Sequence, residues 1–242
     1  MLKARAAAHV HSHWSYDGRW PLGRIASLFR RVGCDVVLMT EHERGFNESR
    51  WRLYRDECAA VSRDILVVPG IEYEDAVGDH HVLVWGDLPF LGERLELRVL
   101  LDRVRARGGT AVLAHPIRRD TYRVLQSPDS SLLDGFEIWN RRYDGWVPNV
   151  LDAFAVAPQS GLMRFVGLDF HTGLNYFPLW MNIRIRGGIT TETVYDAMEG
   201  RAVEPRAFGA DATAFSSGPP RSVLRAADLV RAAARGILSR RH

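Results

Sequence analysis

His9 and His11 are separated by a single valine, and on a β-strand residues i and i+2 share a face, so both imidazoles can reach one metal ion. Taken alone the pair is a weak signal, because two histidines fall on one strand face by chance at least as often. Asp17, in Ser15-Tyr-Asp17-Gly18, is a loop carboxylate close enough along the chain to fold back on them. More donors follow. Thr40-Glu41-His42 closes one apolar run and Pro69-Gly-Ile-Glu72 closes another. His80-His81 opens a third, Ala114-His115-Pro116 closes a fourth, and Gly167-Leu-Asp169-Phe-His171 repeats the i, i+2 spacing. A lone histidine of this kind is more often a hydrogen-bonded structural residue than a ligand. Six strand-associated segments that deliver His, Asp and Glu to one place are different. Such a pile of polar groups is costly to bury unless the groups are paired or bind metal. Imidazole and carboxylate without thiolate suit Zn, Mn or Fe. The donors outnumber what one ion can use, so two or three divalent ions are expected. Such ions lower the pKa of a shared water and stabilise charge in phosphoryl transfer.

Short apolar runs supply the elements that would hold these residues. Strands are predicted at Ala6–His11, Asp35–Thr40, Ile65–Glu72, His81–Trp85, Thr110–Ala114, Gly135–Trp139, Phe165–Asp169 and Met181–Ile185. Helices are predicted at Leu22–Val32, Glu48–Arg63, Arg94–Arg107, Val147–Gln159 and Thr191–Glu199. Buried strands alternating with amphipathic helices predict a parallel α/β arrangement. A doubly wound open sheet would open on a glycine-rich turn, whereas the first strand here ends in histidines. A (β/α) barrel is therefore favoured, with the strand ends converging on one face.

The chain has 242 residues, 46% hydrophobic and 25% charged, and needs no second core. A net charge of +3 is a weak argument for a nucleic-acid partner. Cys34 and Cys58 form no CxxC pattern, which suits a reducing compartment. With no apolar leader and no membrane-spanning run, a cytoplasmic protein is expected. The division expected is a hydrolase domain over 1–209 and, over 210–242, a linker and basic helix packed on that domain. The small residues of Ala210–Pro220 suggest the linker. Arg221–His242 reads as the helix, with a rough apolar face of Val223, Leu224, Leu229, Val230, Ile237 and Leu238. An interfacial or partner-binding helix is the alternative to a packed one.

His9-Val-His11-Ser12 with Asp17-Gly18, Thr40-Glu41-His42, Pro69-Gly70-Ile71-Glu72, His81 before Val-Leu-Val-Trp-Gly86, His115-Pro116 and Asp169-Phe-His171 resemble, in order, the motifs of the PHP (polymerase and histidinol phosphatase) superfamily. The resemblance spans about residues 8–172. It implies a distorted (β/α)7 TIM-like barrel of the PHP type with a trinuclear metal centre, usually hydrolysing phosphate esters. Carried over by position, the ligands are His9, His11, Asp17, His42, Glu72, His81, His115, Asp169 and His171, with Glu72 bridging. His80 competes with His81, which has the better spacing to Gly86. His13 is an extra histidine, read first as exposed. Leu168 and Phe170 stand where smaller residues are usual, and predict a more apolar floor.

Phosphoesterase action by a metal-bound hydroxide on a small-molecule phosphate ester is the leading expectation. Arg118 would bind the phosphate, and Asp169 or His171 would protonate the leaving oxygen. The alternative is a carbamate or carboxyl ester. It rests on the likeness of Gly135-Phe-Glu-Ile-Trp-Asn140 to a Glu-Val-Trp-Asn strand of related PHP members, with Asn140 facing the substrate. Tyr143, Trp146, Tyr176, Phe177 and Trp180 could then line an apolar pocket, although core packing is the default for most. A non-catalytic accessory module is the third reading, and the complete ligand set weighs against it.

Overall fold

The computed structural model describes residues 1–148 and 161–239. The predicted helix Val147–Gln159 lies outside the described residues except for its first two positions. Among the described residues, twelve strands form two six-stranded sheets. The first contains β1 (Leu2–Val10), β2 (Val36–Met39), β4 (Leu66–Val68), β10 (Leu179–Ile185), β11 (Val203–Ala207) and β12 (Ala210–Asp211), in the order β12-β11-β10-β1-β2-β4. The second runs in the order β3-β5-β6-β7-β8-β9, from β3 (Glu41–His42), β5 (Ile71–Glu74), β6 (His81–Trp85), β7 (Thr110–Leu113), β8 (Gly135–Asn140) and β9 (Met163–Gly167).

The sheets are mixed, which corrects the expectation of an all-parallel arrangement. β1/β2, β2/β4, β3/β5, β7/β8 and β8/β9 pair in parallel. β6 is antiparallel to both its neighbours, and β10 is antiparallel to β1 and β11. The reason for β6 is chain length. Only residues 75–80 join β5 to β6, too few for the crossover that a parallel pair needs. The predicted strand Ile65–Glu72 is two strands, broken at Pro69-Gly70 where the chain passes from the first sheet to the second.

Backbone bonds hold the two sheets together. Leu168 N–H donates to the Ala8 carbonyl at 3.0 Å, Phe170 N–H to His9 at 3.0 Å, and His11 N–H to Phe170 at 2.8 Å. On the other side Glu41 N–H donates to the Gly70 carbonyl at 3.1 Å. Trp85, fully buried on β6, donates its indole N–H to the Met39 carbonyl of β2 at 2.8 Å and stacks on Phe165.

Helices cover the outside. α1 (Leu22–Arg31) buries Leu22, Ile25, Ala26 and Phe29, the i, i+3, i+4, i+7 stripe that docks one helix face, and carries Arg30 and Arg31 at its negative end. α2 (Glu48–Val61) starts at Asn47, whose side chain accepts the Arg50 N–H at 2.9 Å. α3 (Leu97–Arg105) and α4 (Thr191–Glu199) follow, α4 with a Thr190–Thr193 capping box. The stretch Ala210–Pro220 forms β12, a 3-10 turn at Ala212–Phe215, which Asp211 caps by accepting the Thr213 N–H, and the start of α5 (Gly218–Ser239). On α5, Leu224 and Arg221 are buried, while Val223, Leu229 and Val230 are exposed. Of the apolar face expected there, Ile237 and Leu238 lie outside the described side chains. No helix among the described residues is long and apolar enough to cross a membrane.

Trp85→Phe keeps the ring but leaves the buried Met39 carbonyl without its donor. The expected cost is about 1–3 kcal/mol, read by urea unfolding; an unchanged midpoint would show that the indole bond does not tie the sheets.

Candidate metal centre

The ends of these strands bring the nine predicted donors together. Glu72 sits at the middle, buried, with five imidazoles on its two oxygens. Oε1 lies 2.7 Å from His81 Nδ1 and 3.1 Å from His115 Nε2. Oε2 lies 3.2 Å from His42 Nδ1, 3.3 Å from His11 Nε2 and 3.4 Å from His9 Nε2. Asp169 Oδ1 is 3.8 Å from His11 Nε2 and 4.0 Å from His9 Nε2. Asp17 Oδ2 is 2.9 Å from His171 Nε2, and its Oδ1 is 3.4 Å from His42 Nε2.

His81 opens its strand, whereas His9 and His42 lie at the ends of theirs and His115, Asp169 and His171 follow theirs. β6 runs backwards, so its first residue arrives at the same end as the last residues of the parallel strands. His80 pairs with Asp75 at 2.8 Å, whereas His81 lies against Glu72. His13 is exposed, 3.7 Å from Glu57.

The backbone is unusual where the donors leave the sheet. His9 (φ 59), Asp169 (φ 47) and His115 (φ 28) all have positive φ, a conformation that non-glycine residues adopt at a cost. His9 is the extra residue of a bulge, since Ala8 pairs with Leu38 and Val10 with Met39. The simple i, i+2 argument for His9 and His11 is thus replaced. The strand ends at Val10, and the bulge re-aims His9 so that the two rings meet at 5.2 Å.

Glu137 is the main residue that the sequence reading missed. Fully buried on β8, it lies 2.8 Å from His9 Nδ1 and accepts the His115 backbone N–H at 2.7 Å and the Asn140 amide at 2.8 Å. It thereby fixes which His9 nitrogen faces the cluster, as carboxylates behind ligating histidines do. A side chain at Gly167 would collide with its carboxylate, so only glycine lets β9 pass. The available signal was a lone charge between Phe136 and Ile138 in an apolar strand. Asn140 is buried beneath the site, with Oδ1 accepting the backbone N–H of Arg142 and Tyr143. Arg142 was also missed; its guanidinium lies 3.2 Å from Asp169 and 3.1 Å from His171 Nε2. Glu41 is buried and accepts from Ser12 N–H, Ser12 Oγ and Ser15 Oγ, which anchors the loop carrying Asp17.

Burial opposes charge throughout, and neighbours decide the outcome. Burial would raise Glu72, but His9, His81, His42 and His115 hold it well below the usual carboxylate range. Asp17 is likewise lowered, against burial, by His171 and His42. His9 is raised despite burial by Glu137, Glu72 and Asp169, whereas His11 is lowered by burial and by the cation of His42. Below the cluster, burial pushes Asp144 up to about 8.

The donor set fits divalent metal ions. His9 Nε2, His11 Nε2, His81 Nε2 and Asp17 Oδ1 are buried without hydrogen-bond partners. Ligand atoms of His9–Glu72–His115, of His9–His11–Asp169 and of His11–His42–His171 each lie within 4.8 Å of one another. Above them opens a cavity of about 320 Å³, walled by Tyr16, Arg44, Arg94, Arg118, Arg142 and Tyr143 along with several of the donors and three glutamates. Arg118 reaches that wall while donating to the Asp79 carbonyl at 3.1 Å. Leu168 and Phe170 do not form its floor: both are buried, Phe170 edge-on to Trp20 and Phe29. Of the aromatic group considered for an apolar pocket, only Tyr143 lines the cavity. Phe177 packs on Trp139 and Trp146, and Trp180 lies under Arg5.

Solved structures share this fold at low identity. PsfC from Pseudomonas syringae superposes with a TM-score of 0.66 at 19% identity, over 96% of this chain and 99% of that one. A two-domain protein from Bacteroides vulgatus containing a predicted PHP-like metal-dependent phosphoesterase gives 0.62 at 16%, over 85% of this chain. This chain spans 65% of that protein's length. The lesion-specific endonuclease PfuEndoQ from Pyrococcus furiosus gives 0.62 at 14%, over 82% of this chain and 56% of that one. No family model and no curated protein matches the chain.

Glu137→Gln is expected to weaken metal binding by about 10–100-fold with the fold retained, measured by competition with a chromogenic chelator; unchanged affinity would remove its orienting role. Asp144 gives a pH signature. Its folded pKa of about 8 lies above the unfolded value of 3.8, so the folded state keeps a proton that the unfolded state loses. Stability therefore declines from roughly pH 4 up to pH 8. Asp144→Asn should flatten that decline in denaturant titrations across the range.

Proposed function

We propose that this chain, which has the fold of the PHP-like metal-dependent phosphoesterases, is a metal-dependent hydrolase acting on a small phosphate ester. The observation that carries the reading is Glu72, a buried carboxylate with imidazoles close to both oxygens, beside buried histidine nitrogens that make no hydrogen bond among the described residues. His9, His11, Asp17, His42, Glu72, His81, His115, Asp169 and His171 would hold two or three ions, with Glu72 shared between them. Zn, Mn and Fe all suit these donors. The pairing of strand ends along both sides of the sheets supports a distorted (β/α)7 barrel.

Ions bound there would lower the pKa of a coordinated water and neutralise charge developing on phosphoryl oxygens. The chain's own residues do the rest. Arg118, on the cavity wall, offers a planar fork to the non-bridging oxygens. His171, with Asp17 at 2.9 Å, or Asp169 delivers a proton to the leaving oxygen. Tyr16, stacked on His42 at 4.9 Å, and Tyr143, against His115 at 4.5 Å, flank the mouth and narrow it. A cavity of about 320 Å³ walled by charged groups suits a small anionic ester better than the apolar carbamate or carboxyl ester of the alternative reading. The same size disfavours a duplex nucleic acid.

Elemental analysis of the purified protein, run beside a screen of phosphomonoesters, phosphodiesters and carboxyl or carbamate esters, tests this. Two or three equivalents of metal and turnover of a phosphate ester are expected. His9→Ala should lower kcat/KM by about 100-fold or more, and Arg118→Ala should raise KM for the phosphate ester by about tenfold. Full activity after complete metal removal would overturn the proposal.

A further inference from the structure

Arg142 is a cation placed among residues that would bind cations. Its Nη1 lies 3.2 Å from Asp169 Oδ1, 3.1 Å from His171 Nε2, 3.3 Å from His171 Nδ1 and 4.0 Å from Asp17 Oδ2. The position is built by the fold. Asn140 Oδ1 accepts the Arg142 and Tyr143 N–H groups at 3.0 and 3.1 Å, and Asp144 accepts the Asn140 N–H at 2.7 Å. The Trp139 indole closes the turn on the Gly145 carbonyl at 3.3 Å. Glu137, the residue behind His9, holds the Asn140 amide, so the turn that carries Arg142 is anchored to the same carboxylate that orients a ligand.

The three donor groups differ in how they meet this guanidinium. His9–His11–Asp169 and His11–His42–His171 each contain one residue that it touches. Its hydrogen bonds and ion pairs go to Asp169, His171 and Asp17, and among the described residues none goes to His9, Glu72 or His115. A divalent ion on either of the first two groups must share a donor with a resident positive charge or displace it; an ion on the third need not.

We infer that Arg142 is a built-in competitor that divides the cluster into a tight site, on His9, Glu72 and His115, and a weaker one on the Asp169 and His171 side. The weaker site fills last, and filling it frees the guanidinium to turn into the cavity, where it can meet an anionic group of the substrate. The inference rests on the proposed metal-dependent reading of the site.

Calorimetric titration of chelator-stripped protein with Zn alone tests it. Wild type should show two classes of binding. Arg142→Gln should tighten the weaker class by about tenfold or more and leave the tighter class unchanged. Arg142→Lys, which keeps the charge, should stay near wild type, and Arg142→Met checks that loss of charge rather than the new amide is responsible. The side chain is 44% exposed, and a thermal melt of each variant verifies folding. Superimposable isotherms, or weaker binding in both neutral variants, would overturn the competition. If wild type and all variants bind no ion, the metal-dependent reading itself falls, which is a distinct result.

Discussion

The carboxylate of Glu72 has almost no contact with water, and a bare negative charge so placed would cost several kcal/mol. Much of the architecture serves to meet that cost. Five imidazoles reach its two oxygens from four separate segments: the end of β1 with the residue beyond it, β3, the start of β6 and the turn after β7. No single element could supply them. The mixed direction of the second sheet follows from the same need, since only a reversed β6 brings His81 to the end where the parallel strands finish. Divalent ions bound there would compete with protons for the same donor atoms, so metal affinity would depend on pH.

The donors occupy backbone that the sheets alone would not choose. Three of the nine have positive φ, and each such residue carries about 1–3 kcal/mol of strain. What holds them is a layer of groups that touch no cavity. Glu137 contacts the His9 ring and the His115 N–H from one side, and the Phe170 and His11 backbone bonds clamp the bulge from the other. Glu41 does for the Asp17 loop what Glu137 does for the strands, gathering Ser12 and Ser15 around it. Gly18 belongs to the same arrangement, because a side chain there would strike the Ser12 carbonyl.

That these histidines and carboxylates converge was legible in the sequence, because such side chains are chemically distinctive and sit where apolar runs stop. Element positions were legible from the apolar pattern, and the strand His81–Trp85 and the helix Thr191–Glu199 agree to the residue. Direction was not. Nothing in Asp75–His80 announces that β6 reverses except its shortness, and the apolar pattern of a buried strand reads alike in both directions. The bulge at His9 was hidden because periodicity locates a strand and not its irregularities. Leu168 and Phe170 misled since alternation does not say which face of a terminal residue meets the core. Glu137 escaped notice because its neighbours made the segment read as a buried strand, although a carboxylate in such a run needs partners wherever it lies.

The two arginines nearest the cluster show how position changes the meaning of one residue type. Arg118 follows a ligand by three residues, yet its guanidinium is drawn to the Asp79 carbonyl at the cavity wall and meets no donor. It therefore adds positive potential at the mouth without competing for the ligands. Arg142 belongs to a turn that no ligand motif flags, and its charge lies against Asp169 and His171. Its burial would lower its affinity for a proton, but Asp169 and Asp17 more than compensate, so it remains a cation there. Arg118 and Arg142 both line the cavity, with the glutamates at 43, 74 and 93 on the same wall. A ligand whose charge is concentrated at one end would suit such a mixed wall, because an evenly charged polyanion would set some of its groups against the glutamates.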